Sequence, residues 1–337
     1  MDKEIFEGKS ITNSILKLAI PTMIGQLGTI IYNMADTYFI GQINDVNQVA
    51  AISVTMPVFL ILMSLGALFG IGGASYISRM LGTQNKKEMK KASSYVFYII
   101  CIIGIFVTIF GLIFINQILK LIGCDQDTLS YSRSYLFIII LGSIFIMISN
   151  GFAFILRSVG ESKQAMYGLV LGTVLNIILD PIFILYFGMG VKGAAIATVI
   201  ANILTTIMYI YSYHKNTYLS FLFKDVSFEA KLQKEVISIG IPGSLITILL
   251  SISNIILNNY CVLYGNAVVA AMGIVSKINL FPIQLTVGLG QGIQPLLGYY
   301  IGANKKNKLK ETIRISNIIS LGIGIFFVVL FYFSKSI

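Results

Sequence analysis

Long apolar stretches recur from one end of this chain to the other, and they decide what it can fold into. Only 11% of its 337 residues are charged, against roughly a quarter in a soluble globular domain. A membrane-spanning helix needs about 18 or more consecutive, mainly apolar residues. About nine segments satisfy this condition, so we predict about nine transmembrane helices. They are 14–40, 47–78, 92–115, 134–156, 164–187, 193–213, 235–263, 267–299 and 313–333.

These segments are apolar at consecutive positions, whereas the strands of a transmembrane β-barrel alternate apolar and polar residues. We therefore predict an all-α polytopic membrane protein. With the N-terminus in the cytoplasm, 19 of the 24 Lys and Arg residues fall in cytoplasmic segments, as the positive-inside rule requires. The basic residues lie at helix ends without interleaved aromatic residues, which argues against a nucleic-acid partner. Membrane lipids are the expected surroundings.

Two parts of the sequence resemble each other at a constant separation, which indicates an internal repeat. LAIPTMIGQL at 18–27 resembles SIGIPGSLIT at 238–247, with an offset of 221 between the prolines. LGTQNKK at 81–87 resembles IGANKK at 301–306, with an offset of 220. Six predicted helices separate the two copies, so the repeat is parallel.

The repeat predicts two six-helix bundles. We assign residues 1–213 to a first lobe, 214–234 to a cytoplasmic linker and 235–337 to a second lobe. The second lobe holds only three predicted helices, so we expect an incomplete second bundle and a C-terminally truncated chain.

Two acidic residues, Asp36 and Asp180, are the only ones of the fourteen Asp and Glu that fall inside predicted helices. A charged side chain at mid-bilayer depth costs about 3 kcal/mol or more, so such residues face a protein interior or a water-filled cavity. Counted from the outer loops, both lie roughly 7 to 12 Å deep. We predict that the two carboxylates share one layer.

Polar neighbours extend this layer, and Pro181 is expected to kink the fifth helix beside Asp180. Together these groups can hold a proton or coordinate Na⁺ through oxygen atoms. A cluster that only joins helices by hydrogen bonds is the alternative.

Lys277 either extends outward to the interface or lines a cavity, and Tyr32 either lines the cavity or packs against other side chains. The expected cavity-lining residues are Gln26, Tyr32, Asn33, Thr173, Asn202 and Lys277.

The motifs NIILDP at 176–181 and GAAIAT at 193–198, together with IPTMIGQL at 20–27, resemble the multidrug and toxin extrusion (MATE) family of secondary antiporters. The resemblance covers the whole chain and ends within the ninth of the family's usual twelve helices. It implies two six-helix bundles around a central cavity that exports cationic, lipophilic compounds in exchange for H⁺ or Na⁺. It also implies a bacterial cytoplasmic membrane, no other cofactor and a monomer when full length.

Within the family, the chain resembles the DinF-type branch. There the coupling site maps onto Asp36, Asn176, Asp180 and Thr198, which implies a possible Na⁺ site at these four residues. The other branch has a glutamate in the seventh helix, and this chain has none there.

The leading hypothesis is therefore a multidrug antiporter that works by alternating access and is not an enzyme. A lipid-linked oligosaccharide flippase of the same superfamily is the nearest alternative, although an anionic head group calls for several cations in the cavity. A membrane-embedded transferase would need clustered acids or a His and Asp pair. A non-transporting fragment or partner protein is the remaining alternative.

Overall fold

The computed structural model describes residues 3–8, 10–43, 45–264 and 266–334. Within these ranges the chain is helical and contains no β-strand, which confirms the predicted all-α class. The elements are α1 (Lys3–Glu7), α2 (Ile11–Gly41), α3 (Val46–Gly82), α4 (Lys86–Ile113), α5 (Ile115–Leu121), α6 (Gln126–Leu141), α7 (Ser143–Ser158), α8 (Ser162–Asp180), a π-helix (Pro181–Tyr186), α9 (Val191–Lys215), a 3₁₀ turn (Phe223–Asp225), α10 (Ala230–Val262), α11 (Asn266–Gly302) and α12 (Lys306–Ser334).

The number of membrane spans is lower than predicted. Among the described residues, seven helices are long and apolar enough to cross a membrane, or eight if the bent pair α6 and α7 counts as one span. The predicted span 235–263 is helical as α10 but is not among these candidates. The predicted span 134–156 is not straight, because α6 and α7 meet at Gly142 with a bend of 56°.

Side chains that accept hydrogen bonds from the first turn fix the start of several helices. Asp45 accepts from the amide of Asn47 at 3.0 Å, at the start of α3. Asp125 accepts from the amide of Thr128 at 2.8 Å, at the start of α6. Such caps satisfy backbone N–H groups that have no partner within the helix.

Glycine residues four positions apart bring two helices of the first lobe close together, as is common in membrane helices. Gly66 of α3 lies against the backbone of Met147 in α7, and one turn further Gly70 lies against Gly151. At both glycines an added Cβ would lie within 3.0 Å of backbone atoms of the neighbouring helix. The contact between α3 and α7 therefore depends on the absence of side chains.

The turns after α3 and α11 have the same backbone conformation. Gln84 and Asn304, which are 220 positions apart, both adopt left-handed conformations, with φ of 58° and 55°. A positive φ is uncommon for residues other than glycine. This match is what the predicted repeat requires at these turns, while the arrangement of two bundles stays a prediction.

Two helices connect the elements of the first lobe to those that follow residue 230. The helix α2 packs against both α8 and α11, and α3 packs against both α7 and α10. The main hydrophobic core includes Tyr95, Phe152 and Tyr213, all nearly inaccessible to solvent. This packing places polar residues of α2, α8 and α9 side by side.

Candidate functional site

Three of the four predicted coupling residues meet between α8 and α9. Asn176 and Asp180 lie one turn apart on α8, and Thr198 lies on the adjacent α9. Their exposed fractions are only 1%, 0% and 4%. The side-chain amide of Asn176 donates to the Thr198 hydroxyl at 3.5 Å. The structure therefore brings these residues together in a buried position, as the helical spacing of Asn176 and Asp180 predicts.

Three oxygen atoms of this cluster have no hydrogen-bond partner in the described part of the chain. Both carboxylate oxygens of Asp180 and the amide oxygen of Asn176 are buried and lack a hydrogen-bond partner among the described residues. Leaving such an atom unpaired costs about 1 to 3 kcal/mol, and more for a charged group. A bound proton or an oxygen-coordinated cation such as Na⁺ would satisfy these atoms, so the donor set fits either ion.

Asp36, the fourth predicted coupling residue, approaches from α2. This helix lies close to α8, where a Cβ on Gly28 would lie 3.5 Å from the Thr173 hydroxyl oxygen. Asp36 is half-buried, and its carboxylate interacts electrostatically with that of Asp180. The two carboxylates therefore lie near each other, as their similar depth in the sequence predicts.

Two tyrosines border the carboxylates. Tyr32, which the sequence analysis proposed as cavity-lining, lies near Asp36 and within hydrogen-bonding reach of Thr198. Tyr135 of α6 is 8% exposed and interacts electrostatically with both Asp36 and Asp180. Sequence reasoning missed Tyr135, because a tyrosine in an apolar helix carries no signal that separates a cavity wall from ordinary packing.

Pro181 changes the helix directly beside Asp180. The α-helical geometry of α8 ends at Asp180, and Pro181–Tyr186 forms a π-helix. Proline lacks the N–H that would continue the α-helical hydrogen bonds, and π-helical turns are frequent at functional sites. Next to the carboxylate the structure therefore shows a local change of helix type, while the kink itself stays a prediction.

The remaining cavity-lining candidates separate into different environments. Asn202 accepts a hydrogen bond from Ser149 at 2.6 Å and donates to the Thr198 carbonyl at 2.8 Å, so its amide is engaged within the helix bundle. Asn33 is exposed and donates to the carbonyl of Thr29 at 2.8 Å within α2. The amide oxygen of Asn202 is therefore already engaged, whereas the bond of Asn33 uses only its side-chain nitrogen.

Two other candidates, Lys277 and Gln26, have different surroundings. Lys277 is exposed, and none of the ion pairs in the described ranges includes it. Gln26 precedes Asp36 by ten residues, about 15 Å along α2. Its amide contacts two glutamines of α11, Gln284 and Gln291. Sequence reasoning missed Gln284 and Gln291, because it followed the polar residues of the first, fifth and sixth predicted helices and not the uncharged polar residues of the eighth.

Comparison with known protein families gives one extended match. The model of the MatE family matches residues 21–182 and 242–337, which include Asp36, Asp180 and α11. The matched ranges cover more than half of the chain.

Curated relatives and solved structures agree with this match. The multidrug export protein MepA of Staphylococcus aureus (strain NCTC 8325 / PS 47) is 35% identical over 325 residues, 96% of this chain and 71% of MepA. MepA of Staphylococcus haemolyticus is 34% identical over 92% of this chain and 69% of that protein. An outward-facing multidrug resistance MATE transporter of the MOP superfamily superposes with a TM-score of 0.92 at 27% identity, covering 97% of this chain and 73% of the other.

Proposed function

Because the chain belongs to the MATE family of membrane transporters, we propose that it is a secondary active multidrug antiporter that exports cationic, lipophilic compounds in exchange for H⁺ or Na⁺. Relatives that are 34% and 35% identical are named multidrug export proteins. The family consists of transporters rather than enzymes, and the chain is a multi-pass membrane protein with several apolar helices.

One observation carries the choice of an ion-coupled mechanism: Asp180 is fully buried and both its carboxylate oxygens lack a partner among the described residues. Asp36 lies near enough to interact with it electrostatically. Two acids that share a buried layer attract a proton or a cation, because either removes charge repulsion and the penalty of burying an ionised group. Asp36, Asn176, Asp180 and Thr198 would supply the oxygen ligands to Na⁺, or the two acids would hold a proton.

In the proposed cycle, ion and cargo compete through the charge of this layer. The ionised carboxylates favour a cationic cargo in the central cavity. When an ion binds from outside, the layer is neutralised, and the attraction for the cargo falls. Release of the ion on the inner side restores the charge. Alternating access requires that both the ion-bound and the cargo-bound forms change between outward-facing and inward-facing states. The helix α2 connects the carboxylates to the second lobe through its contact with α11.

We further propose a bacterial cytoplasmic membrane location with the N-terminus inside, since 19 of the 24 Lys and Arg residues then lie on the cytoplasmic side. Small cationic drugs and membrane lipids are the proposed partners, and the coupling ion is the only cofactor. The assignment to the DinF-type branch rests on the four coupling residues.

The test is ethidium efflux from energised membrane vesicles with imposed H⁺ or Na⁺ gradients. The wild-type chain, Asp180→Asn and the control Asp127→Asn, an exposed acid outside the site, are compared at equal expression. We expect gradient-driven efflux from the wild type and the control, and at least a tenfold loss in Asp180→Asn. Full efflux by Asp180→Asn would rule out the proposed coupling site. The gradient that supports efflux identifies the ion.

A further inference from the structure

A short segment before α2 lies across the boundary between the two lobes. It consists of α1 and the residue that follows it, residues 3–8. The helix has five residues, and a helix this short is not stable by itself in water. Its side chain Phe6 is nevertheless only 1% exposed. The segment is therefore held in place by its contacts with the rest of the molecule.

The ring of Phe6 contacts both lobes. In the first lobe it lies against Gly160, in the turn between α7 and α8, where an added Cβ would lie 2.9 Å from the ring. Gly160 has a positive φ of 87°, which favours glycine. In the second lobe the ring of Tyr299 in α11 lies 4.9 Å from that of Phe6, measured between centroids. Tyr299 is itself only 4% exposed, so one side chain joins the two lobes.

Two hydrogen bonds attach the same segment to the second lobe. The Tyr299 hydroxyl donates to the Glu7 carboxylate at 3.0 Å. The Lys308 ammonium group of α12 donates to the Gly8 carbonyl at 3.1 Å. Each bond has one charged partner, and such bonds are stronger than those between neutral groups. We name Phe6, Glu7 and Gly8 the α1 latch.

The helices joined by the α1 latch are in close backbone contact at this end. Gly82, the last residue of α3, lies against the carbonyl of Tyr299 in α11. Gly302, the last residue of α11, lies against the carbonyl of Arg79 in α3. The repeat offset of 220 relates these two contacts to each other, position by position. The lobes are thus closed at the end that the proposed topology places in the cytoplasm.

We propose that the α1 latch holds the cytoplasmic end of the transporter closed and so favours its outward-facing state. This inference rests on the alternating access of the proposed function. When the lobes separate at this end, Phe6 cannot remain against both Gly160 and Tyr299, and it loses buried apolar contact. A contact made in one state and lost in the other shifts the equilibrium between them.

A latch of this kind is compatible with exchange of ion and cargo. Asp36 lies 25 residues beyond the first residue of α2, about 38 Å along the helix, so the latch does not touch the ion site. It therefore stabilises the outward-facing state by the same amount whether ion, cargo or neither is bound. Its loss should change the ratio of the two states and leave the chemistry of binding unchanged.

The test measures opening of the cytoplasmic end through the reporter Ser78→Cys. Ser78 of α3 is fully buried and packs against Gly298 of α11, so it becomes accessible when the lobes separate. The reporter is placed in a background with Cys101, Cys124 and Cys261 replaced by alanine. Inverted membrane vesicles are treated with a membrane-impermeant maleimide, and the labelling rate is measured without any ion gradient.

Two variants weaken the latch by different means. Phe6→Ala removes the ring that contacts both lobes, and we expect labelling about tenfold faster, which corresponds to about 1.4 kcal/mol. Tyr299→Phe keeps the ring but removes the hydrogen bond to Glu7, and we expect labelling about threefold faster, since one bond is lost.

Phe221→Ala is the matched control for the loss of a ring at the same end. Its ring lies against those of Phe97, Tyr213 and His214, all of which precede the second lobe. We expect the labelling rate at Ser78→Cys to stay within twofold of that without this change.

A second reporter, Ser94→Cys, detects general loosening. Ser94 is a buried residue of α4 that donates to the Ser220 carbonyl at 2.8 Å, and we expect Phe6→Ala to leave its labelling unchanged. The proposal is wrong if Phe6→Ala leaves labelling at Ser78→Cys unchanged, or if Ser94→Cys or Phe221→Ala shows an equal acceleration. Labelling requires no export, so the expected labelling without gradient-driven efflux from the wild type would overturn the proposed function and not the latch.

Discussion

Asn176 donates a hydrogen bond to Thr198 at 3.5 Å while its own amide oxygen has no partner among the described residues. The bond joins α8 to α9 and leaves the amide oxygen of Asn176 unpaired within the described ranges. Asp180, one turn along α8, has two further unpartnered oxygens. Buried polar groups in proteins are nearly always hydrogen-bonded, so these three oxygens are candidates for binding a proton or a cation.

Removing the Thr198 hydroxyl should weaken ion coupling without unfolding the protein. Thr198→Val keeps the side-chain volume but deletes one proposed ligand oxygen. We expect the H⁺ or Na⁺ concentration for half-maximal efflux to rise about tenfold, the equivalent of one lost polar interaction. Thr205→Val is the matched control, because Thr205 is a buried residue of α9 that bonds only to the Gly168 carbonyl at 3.3 Å. Equal effects of the two variants would contradict a specific role for Thr198.

Neutralising Asp180 should stabilise the fold even though it abolishes transport. Asp180→Asn removes a buried charge that has no partner in the described chain, and we expect a gain of about 1 kcal/mol or more in unfolding free energy. Thermal unfolding followed by circular dichroism in detergent checks this. A clear loss of stability would favour the alternative in which the polar cluster serves only to join helices.

A methyl group at Gly66 should destabilise the first lobe. In Gly66→Ala, Cβ would lie 3.0 Å from Met147 Cα and nearer still to its carbonyl oxygen. We expect a loss of about 1 to 3 kcal/mol, because backbone atoms must move apart. Gly322→Ala is the control, since nothing lies within 4 Å of its Cβ and alanine favours helix. The same melting experiment should show a lower midpoint only for Gly66→Ala.

The start of α6 should lose stability in acid. Hydrogen bonds from the hydroxyl and the amide of Thr128 lower the pKa of Asp125 below its ordinary value. Because the pKa of Asp125 is lower in the folded state, its ionised carboxylate stabilises the fold at pH values above the unfolded pKa of about 3.9. This stabilisation is lost as the pH falls through the folded-state pKa. We expect Asp125→Ala to melt at a lower temperature than wild type at pH 7, with the difference shrinking near pH 3.

The neighbouring Asp127→Asn is the control for that experiment. Asp127 is exposed, and Asp125 is the residue that caps the helix. A difference between wild type and Asp125→Ala that stayed constant from pH 7 to pH 3 would contradict the role of the ionised cap.

The sequence by itself determined the helical class and predicted which residues form the candidate ion site. Apolar runs of this length allow only membrane helices, because backbone polar groups must be satisfied internally in lipid. Asp36 and Asp180 were identifiable because a carboxylate at that depth is costly. Their similar depth followed from the number of residues between each acid and the outer loop, because every residue of a straight α-helix adds the same rise along the axis.

Only the tertiary structure decided which polar groups face one another. The break between α6 and α7, the approach of Tyr135 to the acids and the hydrogen bonds of Gln26 with α11 all depend on how separate helices pack. Gln26 and Gln291 are 265 positions apart, and uncharged amides give no strong hydropathy signal. The sequence predicts that Gln26 lines a cavity. Its bond to Gln291 exists because two distant helices meet there, and such a contact depends on three-dimensional packing.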